Sequence, residues 1–539
     1  MALERIEDNF LYLRNPANLE PIKDPFNGEY VNSIQNACDL ENKISSLKTG
    51  LCFWKNFDKQ EFFLRLHNKI YGNRDNLANL ITQESGRPLV ESYIEIAVAL
   101  DALKYAASGG VVKAGYKEEC RGYNLLNKLK SMVVENVFEY DKVGDGKLIA
   151  MIAPSNSALM IPIVTLAEVL SSNNVFLLKP SEHLPLTAKK IGDFCYDGWR
   201  EMGFKSSSVV EVAVGDQRVG EGIVNYTKNS SIDKLIFVGS RGVGLKIKQE
   251  LGDKVRLELG GNDAFIVLDD VCEKGLTDMG KVAMAAVAGA YFNAGQQCCS
   301  VKRIFVTEKN YELFFQKFRK YASRLVVGDG FDSNVDVGTL LSKAQHDKLK
   351  NRLEKLTEDE VRGYTEFSLL PKLHNLYFKP TLVYDVKHDA SILKEEFFGP
   401  ITLLIEAKDV NEVVRLVNDS PFGLSASVWT RDIKKGIDVV RRLEVSNKYV
   451  NDIHISFTDP QLPWGGAKDS GHYVGSGFSN DVTKVLIVNS GVDFGAPWMW
   501  KNSGEKLELF KRAIEFMHGP LCDKVSCVKM LYNFCKAER

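Results

Sequence analysis

The chain has 539 residues, 45% of them apolar and 26% charged, with a formal net charge of -1. Single hydrophobic cores stop growing near ~250–300 residues, so two lobes are expected, and the interspersed, balanced charge excludes the basic footprint of a nucleic-acid binder. Ten cysteines with no C-x-x-C pair and no regular spacing exclude a disulfide framework or a zinc site, and no metal is expected.

The N-terminus, M-A-L-E-R-I-E-D-N-F, has neither the positive start and apolar run of a signal peptide nor the Arg-rich, acid-poor character of a transit peptide. A cytoplasmic protein is therefore expected. Pro16, Pro21 and Pro25 make the first segment an extended arm. Across 37–107 apolar positions recur at three and four, which predicts three or four amphipathic helices. Residues 132–140 and 147–153 flank D-K-V-G-D-G and read as a β-hairpin. Residues 148–170 are apolar with Glu168 as their single charge, but P-S-N-S at 154–157 interrupts them. A strand, a loop and a buried helix fit better than a membrane span.

From 152 to 266 strands and helices take turns, with V-F-L-L-K, V-V-E-V-A-V and K-L-I-F-V as strands. Such alternation predicts an α/β domain with a mostly parallel sheet, whose ligands bind beyond the carboxyl ends of the strands. Lys179, Gly215 and Gly239 stand at those ends. A second α/β lobe follows, with strands A-F-I-V-L, R-I-F-V, I-T-L-L-I, S-A-S-V-W and K-Y-V-N-D and helices over 311–325, 342–356 and 410–418. Residues 483–488 are the last strand, and 504–518 have a helical pattern.

Within this frame three stretches carry chemistry. Residues 291–301, Y-F-N-A-G-Q-Q-C-C-S-V, end a small-residue helical run and place Cys298 and Cys299 among turn and polar residues. A cysteine there is either core filler, the common fate of a free thiol, or a nucleophile at an element junction. G-S-R-G-V-G, residues 239–244, joins a strand to a helix and lets the backbone approach a pyrophosphate, although it is not a G-x-G-x-x-G fingerprint. Glu258 lies between two leucines in L-E-L-G-G. Apolar surroundings raise a carboxyl pKa towards neutrality and suit it to general-base work; a salt-bridged surface glutamate on an alternating strand is the other reading.

L-E-L-G-G (257–261), N-A-G-Q-Q-C (293–298), E-E-F-F-G-P (395–400), N-D-S-P-F-G-L-S-A (418–426) and L-P-W-G-G-A-K-D-S-G (462–471) follow one another in the chain. In order and spacing they strongly resemble the aldehyde dehydrogenase superfamily over residues 20–490. The resemblance implies an aldehyde-dehydrogenase-like α/β fold with two Rossmann-like lobes and a small β oligomerisation hairpin and strand. Residues 1–130 and 150–257 would bind NAD, 258–480 would be catalytic, and 131–149 and 481–495 would join subunits into a homodimer or homotetramer. Residues 496–539 lie beyond it as a C-terminal extension.

The same resemblance implies the site. Cys298 would attack the aldehyde carbonyl, the Asn156 amide and the Cys298 backbone N–H would hold the oxyanion, and Glu258 would activate water to hydrolyse the thioester to a carboxylic acid. Lys179, Ser181 and Glu182 in L-K-P-S-E would seat the adenosine ribose, Gly239 and Ser240 the pyrophosphate, and Glu396 and Phe398 the nicotinamide ribose and ring. Glu182 favours NAD, because a carboxylate repels a 2′-phosphate; Ser181 and Arg241 leave NADP open. A CoA-acylating dehydrogenase typically lacks the base, and an inactive binding protein would lose the Cys, Glu or Asn. Departures from the family are Ser155 for the usual Trp, Trp464 where Phe is common, G-H-Y for G-x-G-R, and a longer interval between Glu258 and Cys298, attributed to a loop at 272–280. These bear on the aldehyde accepted; L-E-L-G-G-N-D resembles semialdehyde-oxidising members, and Gly477 with Phe478 resembles fatty- and aromatic-aldehyde members.

Overall fold

A computed structural model of the protein describes residues 10–12, 22–23, 30–31, 33–35, 39–110, 118–121, 131–134, 146–271, 278–367, 376–453, 459–460, 462, 464–471, 485–488 and 502–520. Four helices come first: Leu40–Trp54, Lys59–Gly72, Arg74–Ser85 and Leu89–Ala107. Asp39 and Asp58 cap the first two by accepting from the backbone N–H of Asn42 and Gln60, each at 3.0 Å. The third stops at Gly86, whose φ of 68° is the left-handed stop that glycine adopts without strain.

These helices cover a five-stranded, all-parallel sheet in the order Val255–Glu258, Lys234–Val238, Leu148–Ile152, Val175–Lys179, Val210–Val212. The strand order reverses at Leu148–Ile152. The crevice at the carboxyl ends of Leu148–Ile152 and Lys234–Val238 is therefore the place where such a sheet binds its ligand.

The apolar stretch at 148–170 divides into the strand Leu148–Ile152 and the helix Met160–Ser171. The hairpin reading of 132–140 with 147–153 is incorrect, because its two arms belong to different sheets. L-I-A-M-I shows no alternation and is covered on both faces, as a central parallel strand must be. Ser131–Val134 instead pairs antiparallel with Glu118–Arg121 and with Val485–Val488.

The second sheet has ten strands and is parallel from Thr381–Val386 through Ile401–Ala407, Val301–Thr307, Asp263–Val267, Ser425–Trp429 and Asn447–Val450 to Val485–Val488. Antiparallel strands close both ends, Val361–Glu366 on one side and Ser131–Val134 with Glu118–Arg121 on the other. Val361–Glu366 and Thr381–Val386 are strands that the sequence pattern does not announce. The first carries Arg362, Gly363 and Thr365, and of its inward positions only Val361 is fully buried.

Two hydrophobic cores result. One runs from Leu40 to Leu259, the other from Ala264 to Ile453, so the division falls inside L-E-L-G-G-N-D. The helix Gly504–His518 returns to the first core, where Ile514 is fully buried and Leu507 and Phe510 pack against it. No helix among the described residues is long and apolar enough to cross a membrane.

Candidate active site

Glu258 ends the edge strand Val255–Glu258, and the cysteine loop descends from the second core to meet it. The helix Met279–Tyr291 ends in a hook of three left-handed residues, Asn293, Ala294 and Gly295, with φ of 52°, 51° and 66°. A Cβ on Gly295 would lie 2.3 Å from the Gly399 carbonyl oxygen, so only glycine fits this close approach. Gln296 then locks the turn. Its amide donates to the carbonyls of Asn293 and Thr339 at 3.1 Å each and accepts from the Leu341 N–H at 2.9 Å.

The turn delivers Cys298 half-buried and Cys299 buried. The Cys298 thiol lies beside Cys299 and the Glu258 carboxylate, close enough for each to act on its ionisation. Its contact with Cys299, burial, and the negative charge of Glu258 hold the thiol well above its ordinary range. The helix that precedes it offers its C-terminal end, which does nothing to lower that value. Glu258 is itself 3% exposed, and burial pushes its carboxyl up to about 7 against the neighbouring Cys298 thiol and the hydrogen bond from Trp464. Glu258 is therefore a buried carboxyl facing the thiol, and the surface salt-bridge reading does not describe it.

The two glycines of L-E-L-G-G explain why the motif needs them. A Cβ at Gly261 would lie 2.3 Å from the Cys298 carbonyl oxygen, and one at Gly260 would fall on the Glu396 carboxylate. The pair thus lets the cysteine loop and the E-E-F-F-G-P loop close onto the end of the Glu258 strand. Burial raises Glu396, opposed by Lys302, Lys348 and the Gly261 N–H. Its neighbour Glu395 is taken up by Arg352 at 2.9 Å, and Phe398 is half-buried, its carbonyl accepting from Gln345 at 2.8 Å.

Asn156 lies in the loop after Leu148–Ile152, at the reversal point of the first sheet, and is 8% exposed. Its carbonyl accepts from Arg87 at 2.6 Å and from the Asn293 side chain at 3.3 Å, while its own side-chain oxygen has no partner among the described residues. Arg87 pairs with buried Glu95, whose other oxygen accepts from the Leu159 and Met160 N–H groups at 2.9 and 3.1 Å.

Lys179 ends its strand 6% exposed, and desolvation lowers its pKa against the pull of Glu182 and Asp216. Ser181 and Glu182 follow, half-buried, with the Ser181 hydroxyl accepting from the His183 N–H at 3.2 Å. Across the crevice Ser240 is the N-cap of Arg241–Leu251 but makes no side-chain cap bond, and a Cβ on Gly239 would strike the Phe237 ring at 2.8 Å. Arg241 turns away to Asp469, its Nε donating at 2.9 Å.

Sequence reasoning missed several of these supports. Glu91 accepts from the Asn293 N–H at 3.1 Å. Lys302, 1% exposed, donates at 2.8 Å to the carbonyls of both Gly295 and Gly399 and so clasps the cysteine loop to E-E-F-F-G-P. A signal existed: Glu91 and Glu95 stand four apart on the otherwise largely apolar helix Leu89–Ala107 with Arg87 just before its start, and Lys302 interrupts an apolar strand. The 272–277 segment, His454, His472 and Phe478 lie outside the described residues.

An open parallel sheet with a dinucleotide crevice at its reversal point and a buried carboxyl at its edge, facing a thiol from a second α/β core, defines a dinucleotide-dependent oxidoreductase. The model of the aldehyde dehydrogenase family matches residues 15–488. The chain belongs to that family, and it is an enzyme that oxidises an aldehyde with NAD or NADP. It is similar to the phenylacetaldehyde dehydrogenase of Pseudomonas fluorescens, 29% identical over 86% of this chain and 89% of that one. The NADP(+) succinate-semialdehyde dehydrogenase of Escherichia coli (strain K12) is likewise 29% identical over 84% and 89%. The structure of a Bacillus cereus aldehyde dehydrogenase in complex with NAD+ superposes with a TM-score of 0.70 at 26% identity, covering 87% of this chain and 93% of that one.

Proposed function

We propose that Cys298 is the nucleophile, Glu258 the general base and Asn156 the oxyanion donor of an oxidation that converts an aldehyde to a carboxylic acid. The observation that carries this reading is the contact between the Cys298 thiol and the Glu258 carboxylate, whose pKa of about 7 lets it hold or release a proton at neutral pH. Cys298 Sγ bonds to the carbonyl carbon and passes its proton to Glu258. The Asn156 side-chain amide and the Cys298 N–H take the oxyanion. Loss of hydride leaves a thioester on Cys298; Glu258, having released the thiol proton to solvent, then removes a proton from the water that hydrolyses the thioester and returns it to the departing Cys298 sulfur.

The residues of the crevice fit a nicotinamide dinucleotide. Ser240 leaves the start of its helix uncapped by side chains, Gly239 keeps the turn narrow, and Lys179 and Glu182 stand near each other beyond the strand end where ribose hydroxyls would lie. Bound there, the dinucleotide supplies the hydride acceptor. Glu396 and Phe398 would hold its nicotinamide half. Glu182 together with the engagement of Arg241 by Asp469 favours NAD over NADP, since neither leaves a cation waiting for a 2′-phosphate.

In this reading the first core with its five-stranded sheet is the NAD-binding domain and the second core the catalytic one. The edge strand Glu118–Arg121 of the ten-stranded sheet offers backbone groups to a second copy, in keeping with a homodimer or homotetramer; a monomer by light scattering at micromolar concentration would count against it. A reducing, cytoplasmic setting is supported by the free thiols of Cys52, Cys195, Cys298 and Cys299. NADH formation from a panel of aldehydes varied in chain length and terminal charge, in wild type and Cys298→Ser, tests the assignment. An unchanged rate in Cys298→Ser would refute the nucleophile, and dependence of turnover on added CoA would refute hydrolysis.

A further inference from the structure

The family match ends at residue 488, yet the helix Gly504–His518 is built into the first core. Its approach is pinned by Asn502, whose N–H donates to Asp336 and whose amide donates to the Val335 carbonyl, both at 2.7 Å. Arg74 pairs with Glu515 at 3.0 Å, Lys104 donates to the Met517 carbonyl at 2.8 Å, and His518 meets His67 at 3.2 Å. On its inner face Lys506 is 4% exposed and donates to Asn502 at 2.7 Å.

A buried lysine is costly unless opposite charge surrounds it. The carboxylates that act on Lys506 are Asp336 and Glu91, and Arg87 and Lys506 are the cations that act on Glu91. Glu91 is 3% exposed; one of its oxygens accepts from the Asn293 N–H at 3.1 Å and the other has no hydrogen-bond partner among the described residues. Asn293 begins the left-handed hook before Cys298, and its side chain reaches the carbonyl of Asn156. Charge at one end of this line thus meets both reactive loops at the other.

We propose that the C-terminal helix is a working part of the catalytic apparatus, with Lys506 and Glu91 as positioning residues that hold the cysteine loop in register with Asn156. Burial pushes the Glu91 carboxyl up to about 7, and Arg87, the Asn293 N–H and Lys506 pull it back towards the ionised form. Ionised Glu91 fixes the Asn293 N–H and, through it, the entry to the Cys298 turn. A bond to an ionised acceptor is stronger than one to a neutral acceptor. The inference rests on Cys298 being the nucleophile, which Cys298→Ser tests separately.

The test compares Lys506→Gln, Lys506→Arg and Glu91→Gln in the full chain, with Arg512→Gln as a control on the solvent side of the same helix, where Arg512 pairs with Glu508 and Glu515. The readouts are kcat, the KM for NAD and the rate of Cys298 alkylation by iodoacetamide without cofactor. Lys506→Gln and Glu91→Gln are each expected to lower kcat on the order of tenfold, about what 1.4 kcal/mol of lost alignment costs, with KM for NAD unchanged and slower alkylation. Lys506→Arg should restore most of the rate, Arg512→Gln should keep it, and the Lys506→Gln/Glu91→Gln double variant should be no slower than either single one. Wild-type kcat and alkylation in Lys506→Gln, or additive losses in the double variant, would overturn the proposal. Should Lys506→Gln fail to fold, Glu91→Gln decides alone, since it removes the charge while keeping an acceptor for Asn293, and a wild-type rate there overturns it equally.

Discussion

Nε1 of Trp464 lies 3.4 Å from Oε1 of Glu258 and donates to it across 206 positions of sequence. Phenylalanine, common in the family at this position, has no such donor. The bond favours the ionised carboxylate and works against the burial that raises it. Trp464→Phe should move the ascending limb of the pH–kcat profile to higher pH by up to about one unit, the equivalent of ~1.4 kcal/mol. An unshifted limb would show that the indole does not act on the base.

The Glu258 carboxyl also makes a stability prediction. Its value in the folded chain, about 7, stands above the ordinary 4.5, so between those values the folded chain keeps a proton that the unfolded chain gives up. Stability from this group is present below about 4.5 and falls as pH rises through about 7. Glu258→Gln should therefore be more stable than wild type above about pH 7, by on the order of 3 kcal/mol at most, and indistinguishable below about pH 4.5. Denaturant titrations at the two ends of that window check the sign, and activity should be lost throughout.

Gly260 and Gly261 should respond differently to alanine. At Gly260 the added methyl meets the end of the Glu396 side chain, which can swing aside. Gly260→Ala is expected to raise the KM for NAD with modest loss of stability. At Gly261 the methyl meets the Cys298 backbone oxygen at 2.3 Å, and the loop itself must move. Gly261→Ala should lower kcat by about 100-fold or more, since small displacements of reacting groups cost that much; kcat near wild type would mean that the loop adapts without cost.

Cys298 starts from a thiol held above its ordinary range, so something must assist its ionisation during turnover. The positive charge of an oxidised nicotinamide is the one the reading supplies. Adding NAD should lower the pH midpoint of Cys298 alkylation, measured in a Cys299→Ala background to remove its neighbour. Identical midpoints with and without NAD would exclude this source.

How much of this was legible in the sequence follows from how local each feature is. The helices at 410–418 and 504–518 and the central strands showed as periodicity because their burial is set by their own side chains. Cys298, Glu258 and Glu396 were legible as candidates because they sit in short motifs whose glycines mark close backbone approaches, and Asn156 was because it lies in the polar break of an apolar run. Arg87, Glu91, Lys302 and Lys506 were not, because each has meaning only through a partner between 7 and 415 residues away. The hairpin was misread because an uninterrupted apolar strand next to a Gly-Asp turn satisfies a hairpin template as well as a parallel sheet.

The division between the two cores passes between Glu258 and Cys298, carrying the base on one half and the nucleophile on the other. Each half can keep its own packing while the gap between them opens or narrows by fractions of an ångström. The thiol–carboxylate separation is thus a gauge of how the halves are seated. A change anywhere along their seam can alter the rate of turnover in a chain that, by every measure of its folding, is intact.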